Sequence, residues 1–182
     1  LTPGFVGEVT GVDITQPLTQ PQVAALEAGM DRYAVLVYHG QRFADDDQQK
    51  HFSRYFGALE TTAGGNVTRP EQRRLDADMA DVSNLGADHE PLARDDRRRL
   101  FNLGNQLWHS DSSFRAVPAK YSLLSGRIVV DKGGNTEFAD MRAAYDALDD
   151  ETKAQIEHLV CEHSLLYSRG TLGFTELSED EK

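Results

Sequence analysis

Cysteine, basic residues and long apolar runs are all scarce in this chain, and each scarcity argues against a class of protein. The one cysteine, Cys161, cannot form an internal disulfide, which favours a reducing compartment such as the cytoplasm. No run approaches the roughly 18 consecutive apolar residues of a membrane span, so no membrane association is expected. Nineteen Lys and Arg against 30 Asp and Glu give a net charge of −11, and no basic footprint for nucleic acid is present overall.

Several common catalytic motifs are also missing. The sequence contains no Gly-x-Ser-x-Gly of a serine hydrolase, no P-loop and no Cys/His cluster for structural zinc. Cys161 follows an apolar helical pattern and is expected in the core rather than as a nucleophile. The first residues, LTPGFVGEVTG, lack the features of a signal peptide, and the missing start Met leads us to expect preceding residues.

A length of 182 residues predicts a single domain over residues 1–182. Strand and helix signals alternate in the first 60 residues. A glycine-broken strand over 5–12 precedes a capping box at Thr19, which predicts a helix with Pro21 in its first turn. A buried strand is expected over 35–38, and Asp45 is expected to cap the next helix.

The second half mixes predicted strands and helices. The stretch 121–130, YSLLSGRIVV, and the stretch 135–138 are predicted to pair as a hairpin across Gly133-Gly134. Asp140 and Asp149 are expected to cap helices reaching Leu148 and Val160. The long segment 60–104, rich in glycine, proline and charge, predicts either a lid or a solvated loop.

The segment 108–114, WHSDSSF, carries the strongest chemical signal. His109 and Asp111 are two positions apart, so on an extended segment both side chains point to one face. An imidazole nitrogen and a carboxylate oxygen presented together supply two-thirds of the facial triad that binds non-heme Fe(II) and leaves open positions. The alternative is a structural His–Asp hydrogen bond on a strand.

This motif stands in a wider pattern with GEVTGVDITQPL, VLVYHGQ, FSRYFGALE and GGNTEFADMRAAYDAL. Over most of its length the chain resembles the taurine/2,4-dichlorophenoxyacetate dioxygenase family of Fe(II)- and 2-oxoglutarate-dependent oxygenases. The motif NQLWHSDSSF is most similar to the phenoxyacetate branch. The resemblance implies an α+β fold built on a double-stranded β-helix, or jelly roll, with flanking helices.

The resemblance also implies roles for single residues. His109 and Asp111 match the first two iron ligands, and Thr136 matches a threonine whose hydroxyl bonds a carboxylate of 2-oxoglutarate. Three residues match positions near the substrate: Asn105, Ser168 and Arg169. A guanidinium there would bind a substrate carboxylate through two parallel hydrogen bonds.

Each of these roles has a plainer alternative. Thr136 is otherwise a β-branched strand residue, and Asn105 a turn residue. Arg169 is otherwise an exposed arginine with no specific contact.

Part of the family pattern is absent. The third iron ligand, a histidine, and an arginine for the other end of 2-oxoglutarate are expected beyond Lys182. A jelly roll needs about eight strands, whereas four or five are predicted here, so the C-terminal part of the barrel is expected to be missing. His163 is the substitute ligand that the sequence offers, but its position after a helix favours a packing or surface role.

The sequence therefore predicts an oxygenase that hydroxylates a small organic acid with Fe(II), 2-oxoglutarate and O₂, and that is inactive as this fragment alone. If the acid is an aryloxyacetate, the product falls apart to a phenol and glyoxylate, a step in the degradation of aromatic compounds. An alkylsulfonate is the alternative substrate, and a non-catalytic small-acid binder on the same scaffold is the alternative class. A homo-oligomer is left open.

Overall fold

The computed structural model describes residues 2–60, 68–76 and 78–175. They form two compact units, one made of Leu1–Gly57 and Leu123–Cys161 and the other of Ala58–Ser122 and Glu162–Lys182. Part of the predicted lid segment, 61–67 and 77, lies outside the described residues.

The first unit begins with a strand–helix–strand arrangement. Strands β1 (Val6–Glu8) and β2 (Val35–Val37) pair in parallel, and helix α1 (Gln20–Tyr33) lies between them in the sequence. Gly7 allows the close packing of strand and helix, since a Cβ there would lie 2.9 Å from the Tyr33 ring. The two predicted strands are therefore present, although each is only three residues long.

Both helices of this region begin where their capping residues predict. The Thr19 N–H donates to Gln22 Oε1 at 2.9 Å in the capping box of α1. Asp45 accepts the N–H of Gln48 at 2.8 Å and caps α2 (Asp46–Arg54). Each cap satisfies a donor that has no partner within its helix.

A small apolar cluster joins these elements. Ile14, Leu26 and Phe52 are buried together, and Phe52 is only 3% exposed. The Tyr38 and Phe56 rings meet the Phe52 ring edge-on, with centroids 5.9 and 5.4 Å away. The core of this unit thus lies between α1, α2 and the loop after β1.

The predicted hairpin over 121–138 is not formed. No strand is assigned there among the described residues, and most of its side chains are exposed, Val129 by 80% and Phe138 by 57%. A strand needs a neighbouring strand to satisfy its backbone N–H and C=O groups, and the sheet in the described part of the chain contains only β1 and β2. The prediction that 121–130 and 135–138 pair as a hairpin is therefore wrong for this chain.

Two short helices follow, each capped by the predicted aspartate. They are α4 (Met141–Asp146), with Asp140 as cap, and α5 (Asp150–Ile156), with Asp149 as cap. Helix α5 ends at Ile156 and Val160 is 95% exposed, so the prediction of a helix that reaches Val160 is wrong. Cys161 is exposed as well and is not a core residue.

The second unit contains short helical segments and long connections. They are a 3₁₀ turn (Pro70–Gln72), α3 (Arg97–Asn102), a second 3₁₀ turn (Leu103–Gln106) and α6 (Leu165–Gly170). Phe101 of α3 contacts Phe174 just beyond α6, with ring centroids 5.6 Å apart. This contact ties the segment before the WHSDSSF motif to the segment that carries Arg169.

Within the described residues, no helix is long and apolar enough to cross a membrane.

Candidate metal centre

The WHSDSSF motif lies on a connection that leaves the second 3₁₀ turn. The Leu107 N–H donates to the Gly104 carbonyl at 3.1 Å and closes that turn. Residues 108–110 are irregular and residues 111–114 form a turn, so the motif is not an extended strand. Ser112 lies in this turn with a φ of 55°, in the left-handed region that few non-glycine residues adopt.

His109 and Asp111 nevertheless meet. The Nε2 atom of His109 lies 3.2 Å from Oδ1 of Asp111. Their side chains remain 45% and 59% exposed, so a third group can approach both atoms. The prediction that these two side chains share a face is confirmed, although a turn rather than a strand brings them together.

The other nitrogen of His109 determines what the ring can do. Nδ1 lies 2.6 Å from the Leu107 carbonyl oxygen, which can only accept, so Nδ1 carries the proton. This contact orients the ring so that the other nitrogen, Nε2, faces Asp111. A backbone carbonyl bound to one imidazole nitrogen is the usual arrangement for a histidine that binds a metal through the other nitrogen.

The Asp111 carboxylate is held at its second oxygen. The Ser122 hydroxyl donates to Oδ2 at 2.7 Å, which leaves Oδ1 directed toward His109. Two atoms that each bind one metal at about 2.1 Å and at a right angle lie about 3.0 Å apart. The pair therefore fits two neighbouring positions of an octahedral metal ion.

The Glu60 carboxylate holds the turn that contains Ser112 through a hydrogen bond and an ion pair. The Ser112 hydroxyl donates to Glu60 Oε2 at 2.7 Å, and Arg115 forms an ion pair with the other oxygen of the same carboxylate. The Arg115 guanidinium also lies 5.8 Å from the centre of the Phe114 ring. Glu60 thus holds the segment that follows Asp111 at two positions, Ser112 and Arg115.

The described part of the chain offers the pair no third ligand. No group of three or more His, Cys, Asp or Glu side chains suited to a metal occurs there. His163 is exposed in the connection before α6 and is not part of such a group.

Arg169 is half-buried rather than a free surface side chain. Its Nη1 donates to the Ser168 hydroxyl at 2.9 Å, and its guanidinium carbon lies 4.6 Å from the centre of the Phe101 ring. Nε is buried without a hydrogen-bond partner. Burial lowers the pKa of this guanidinium from its usual value, because desolvation disfavours the charged form.

The remaining predicted residues are placed as follows. Asn105 is exposed on the second 3₁₀ turn, four residues before His109. Thr136 is exposed in the first unit, outside any strand. The structure thus brings together the pair His109–Asp111 and the pair Ser168–Arg169.

Four residues with a part in this region carried no signal in the sequence: Ser122, Glu60, Phe101 and Gly104. Ser122 follows Asp111 by 11 positions, and Glu60 precedes Ser112 by 52. Such contacts depend on the path of the chain and follow no fixed spacing. Covariation among homologous sequences is the signal that could have found them.

Comparison with known proteins places the whole chain in one family. The family model "Taurine catabolism dioxygenase TauD, TfdA family" matches residues 1–182. The chain is 44% identical to the alpha-ketoglutarate-dependent 2,4-dichlorophenoxyacetate dioxygenase of Burkholderia sp. (strain RASC), covering 100% of this chain and 61% of that protein. It is 38% identical to the (S)-phenoxypropionate/alpha-ketoglutarate-dioxygenase of Delftia acidovorans, covering 92% of this chain and 54% of that one.

A solved structure agrees with these relatives. The crystal structure of AAD-2 in complex with Mn(II) and N-oxalylglycine is 61% identical, with a TM-score of 0.93, and covers 100% of this chain and 62% of that one. The chain thus spans about three-fifths of the length of the first relatives that it matches. The resemblance inferred from WHSDSSF and its flanking motifs is confirmed, and the chain belongs to the taurine catabolism dioxygenase TauD, TfdA family.

Proposed function

We propose that the whole protein containing this chain is an Fe(II)- and 2-oxoglutarate-dependent dioxygenase that hydroxylates an aryloxyacetate. The observation that carries the proposal is the convergence of His109 Nε2 and Asp111 Oδ1 at 3.2 Å, with Nδ1 bound to a backbone carbonyl. The relatives named for 2,4-dichlorophenoxyacetate and phenoxypropionate support the substrate class.

His109 and Asp111 would hold the iron, and both are prepared for that role. The Leu107 carbonyl binds Nδ1 of His109, so the ring is held with Nε2 toward Asp111. Ser122 holds the Asp111 carboxylate by one oxygen and leaves the other toward His109. When bound, iron in a two-histidine, one-carboxylate site supplies oxidation of a C–H bond with O₂, coupled to the decarboxylation of 2-oxoglutarate.

Thr136 and Arg169 would hold the two acids. The exposed Thr136 hydroxyl would donate to a carboxylate of 2-oxoglutarate. Arg169, with Ser168 and Asn105 as further contacts, would bind the carboxylate of the substrate. The support for Arg169 is that its half-buried guanidinium lies against the Phe101 ring and forms no ion pair with a carboxylate among the described residues.

The reaction balances as follows. An aryloxyacetate, 2-oxoglutarate and O₂ give a phenol, glyoxylate, succinate and CO₂. One oxygen atom enters succinate, and the other enters the carbon beside the ether oxygen. The hemiacetal that results breaks its C–O bond, and the phenol leaves with the proton of the new hydroxyl group.

We further propose that the whole protein is one domain with a double-stranded β-helix to which residues 121–138 contribute strands. The support is the strand-like sequence of this stretch together with its exposed apolar side chains, such as Leu124 at 65% and Ile128 at 65%. Pairing within a barrel would bury such side chains and satisfy their backbone groups.

The activity is tested with the whole protein, Fe(II), 2-oxoglutarate and either phenoxyacetate or taurine. We expect succinate, phenol and glyoxylate in equal amounts from phenoxyacetate, and much less succinate from taurine. Succinate from taurine without phenol from phenoxyacetate would favour the alkylsulfonate reaction. Binding of phenoxyacetate without any succinate would favour the non-catalytic binder.

A further inference from the structure

Gly104 lies directly beneath the guanidinium of Arg169. This glycine is buried in the second 3₁₀ turn. A Cβ atom added to it would lie 2.0 Å from Nη1, 2.1 Å from Cζ and 2.5 Å from Nε of Arg169. No side chain can stand at position 104 while the guanidinium keeps its place, because contacts this short are repulsive.

Gly104, Phe101 and Ser168 surround the Arg169 guanidinium, and we call the space between them the seat of Arg169. The Phe101 ring lies 4.6 Å from the guanidinium carbon, and the Ser168 hydroxyl accepts from Nη1 at 2.9 Å. Buried Nε has no partner, and no carboxylate pairs with Arg169 among the described residues. The seat thus holds the positive charge of Arg169 in one position, and among the described residues no carboxylate neutralises it.

Two hydrogen bonds connect the turn that contains Gly104 to His109, the candidate iron ligand. The Gly104 carbonyl accepts the Leu107 N–H at 3.1 Å, and the Leu107 carbonyl accepts from His109 Nδ1 at 2.6 Å. Gly104, which contacts Arg169, is therefore only three positions before Leu107, whose carbonyl orients His109. A charge seated at Gly104 has a fixed position relative to the ring of His109.

We propose that Gly104 is a specificity-determining residue that acts through Arg169. Its missing side chain creates the seat in which the guanidinium presents its charge to the substrate carboxylate at a fixed position. This inference rests on the proposed function, in which Arg169 binds that carboxylate. Gly104 is a positioning residue, because it would contact Arg169 and not the substrate.

The test is Gly104→Ala in the whole protein, with Gly170→Ala as the matched control. Gly170 lies next to Arg169 in α6, and a Cβ there would meet no atom within 4 Å. Because the atoms above Gly104 are the end of a flexible side chain, we expect Gly104→Ala to fold and to displace the guanidinium. Circular dichroism and thermal unfolding check the fold of both variants.

The readouts are KM and kcat with phenoxyacetate, and calorimetric affinity for phenoxyacetate and for neutral 2-phenoxyethanol. We expect Gly104→Ala to raise KM and weaken phenoxyacetate binding by about tenfold or more, the loss of one hydrogen bond to a charged group. Affinity for 2-phenoxyethanol should change by less than about twofold. Gly170→Ala should resemble the wild type in every measurement.

The double variant Gly104→Ala/Arg169→Ala identifies the route of the effect. If Gly104 acts through Arg169, the glycine substitution should add nothing once the guanidinium is gone. Additive losses, an equal loss for the neutral compound, or wild-type values for Gly104→Ala would each overturn the inference. In those cases an active wild type would leave the proposed function standing, whereas a wild type that forms no succinate would overturn the function itself.

Phe101→Leu removes the ring on the other side of the Arg169 guanidinium. It keeps the inference testable if Gly104→Ala does not fold. We expect the same selective loss for phenoxyacetate, again absent when Arg169 is replaced by Ala. Equal losses for phenoxyacetate and 2-phenoxyethanol in Phe101→Leu would contradict the seat.

Discussion

The Arg169 guanidinium concentrates positive charge in a chain whose net charge is −11. An average field of that sign repels acidic substrates, so binding them needs a local cation. Arg169 supplies one that is half-buried against Phe101, where solvent screens it less than at the surface. The guanidinium also has a planar edge that fits a carboxylate, which a lysine ammonium does not have.

Arg169→Ala and Arg169→Lys should therefore both raise the KM for phenoxyacetate. Hydrogen bonds to charged groups contribute about 1.5–3 kcal/mol, so losing one corresponds to roughly ten- to a hundredfold in KM. Affinity for 2-oxoglutarate should hardly change, because Thr136 is assigned to that molecule. Steady-state kinetics and calorimetry measure the two quantities.

Arg142→Ala is the control for this prediction, because Arg142 is exposed and contacts the Asp31 carbonyl at 3.2 Å. An unchanged KM in Arg169→Ala would show that this arginine is not the substrate's partner. A parallel loss of 2-oxoglutarate affinity would place it at the other acid.

Single residues could be predicted where chemistry needs a fixed local spacing. The contact between His109 and Asp111 could be predicted because the two residues lie two positions apart on one short segment. Gly104 and Ser122 could not be found, since each acts through a contact made by the fold rather than by neighbouring positions in the sequence.

Helix α3 leads directly into the 3₁₀ turn that precedes the candidate metal centre. Its cap, Asp96, accepts the Arg98 N–H at 2.9 Å and binds the Arg98 guanidinium through both oxygens, at 3.0 and 2.8 Å. The side-chain hydrogen bond from Arg98 lowers the pKa of Asp96. This cap fixes the start of the helix that continues into the turn containing Gly104.

We expect Asp96→Ala to lower the free energy of unfolding by about 0.5–2 kcal/mol, the usual cost of losing an N-cap. Asp96→Asn keeps a capping oxygen but removes the charge. The pKa of Asp96 is lower in the folded protein than in the unfolded chain, where it is about 3.9. The charge of Asp96 therefore stabilises the folded state fully above a pH of about 3.9, and this stabilisation is lost as the pH falls through the folded pKa.

The difference in Tm between wild type and Asp96→Asn should therefore be largest near neutral pH and shrink in acid. Thermal unfolding from pH 7 to pH 3 measures it. Asp95→Asn is the control, since Asp95 is exposed and adjacent. A difference that does not depend on pH would mean that the Asp96 charge contributes nothing.

Helices were easier to predict than strands for a physical reason. A helix satisfies its backbone groups within one segment, and its caps are side chains of the same segment. Thr19, Asp45, Asp140 and Asp149 accordingly cap helices as predicted. Residues 121–138 have a strand pattern, but the partner that a strand needs is not encoded in that pattern.

At the scale of the whole molecule, the chain spans about three-fifths of the length of its first relatives. It contains His109 and Asp111, which we propose as two of the three iron ligands. Isolated residues 1–182 should bind Fe(II) weakly and show no turnover, because no third ligand joins the pair within the described residues. Exposed apolar residues such as Val129 and Val160 should also favour aggregation.

Calorimetry with Fe(II) under anaerobic conditions measures this binding, and light scattering measures the aggregation. The whole protein is the comparison for both experiments. Tight, stoichiometric iron binding by the isolated chain would contradict the expectation and would return His163 to consideration as a ligand.

The most direct test of the account is His109→Ala in the whole protein, with His163→Ala as the matched control. We expect His109→Ala to lose Fe(II)-dependent succinate formation, with little effect on folding, because the ligand is 45% exposed rather than part of the core. His163→Ala should keep wild-type activity. Wild-type decarboxylation of 2-oxoglutarate by His109→Ala would contradict the assignment of the metal centre.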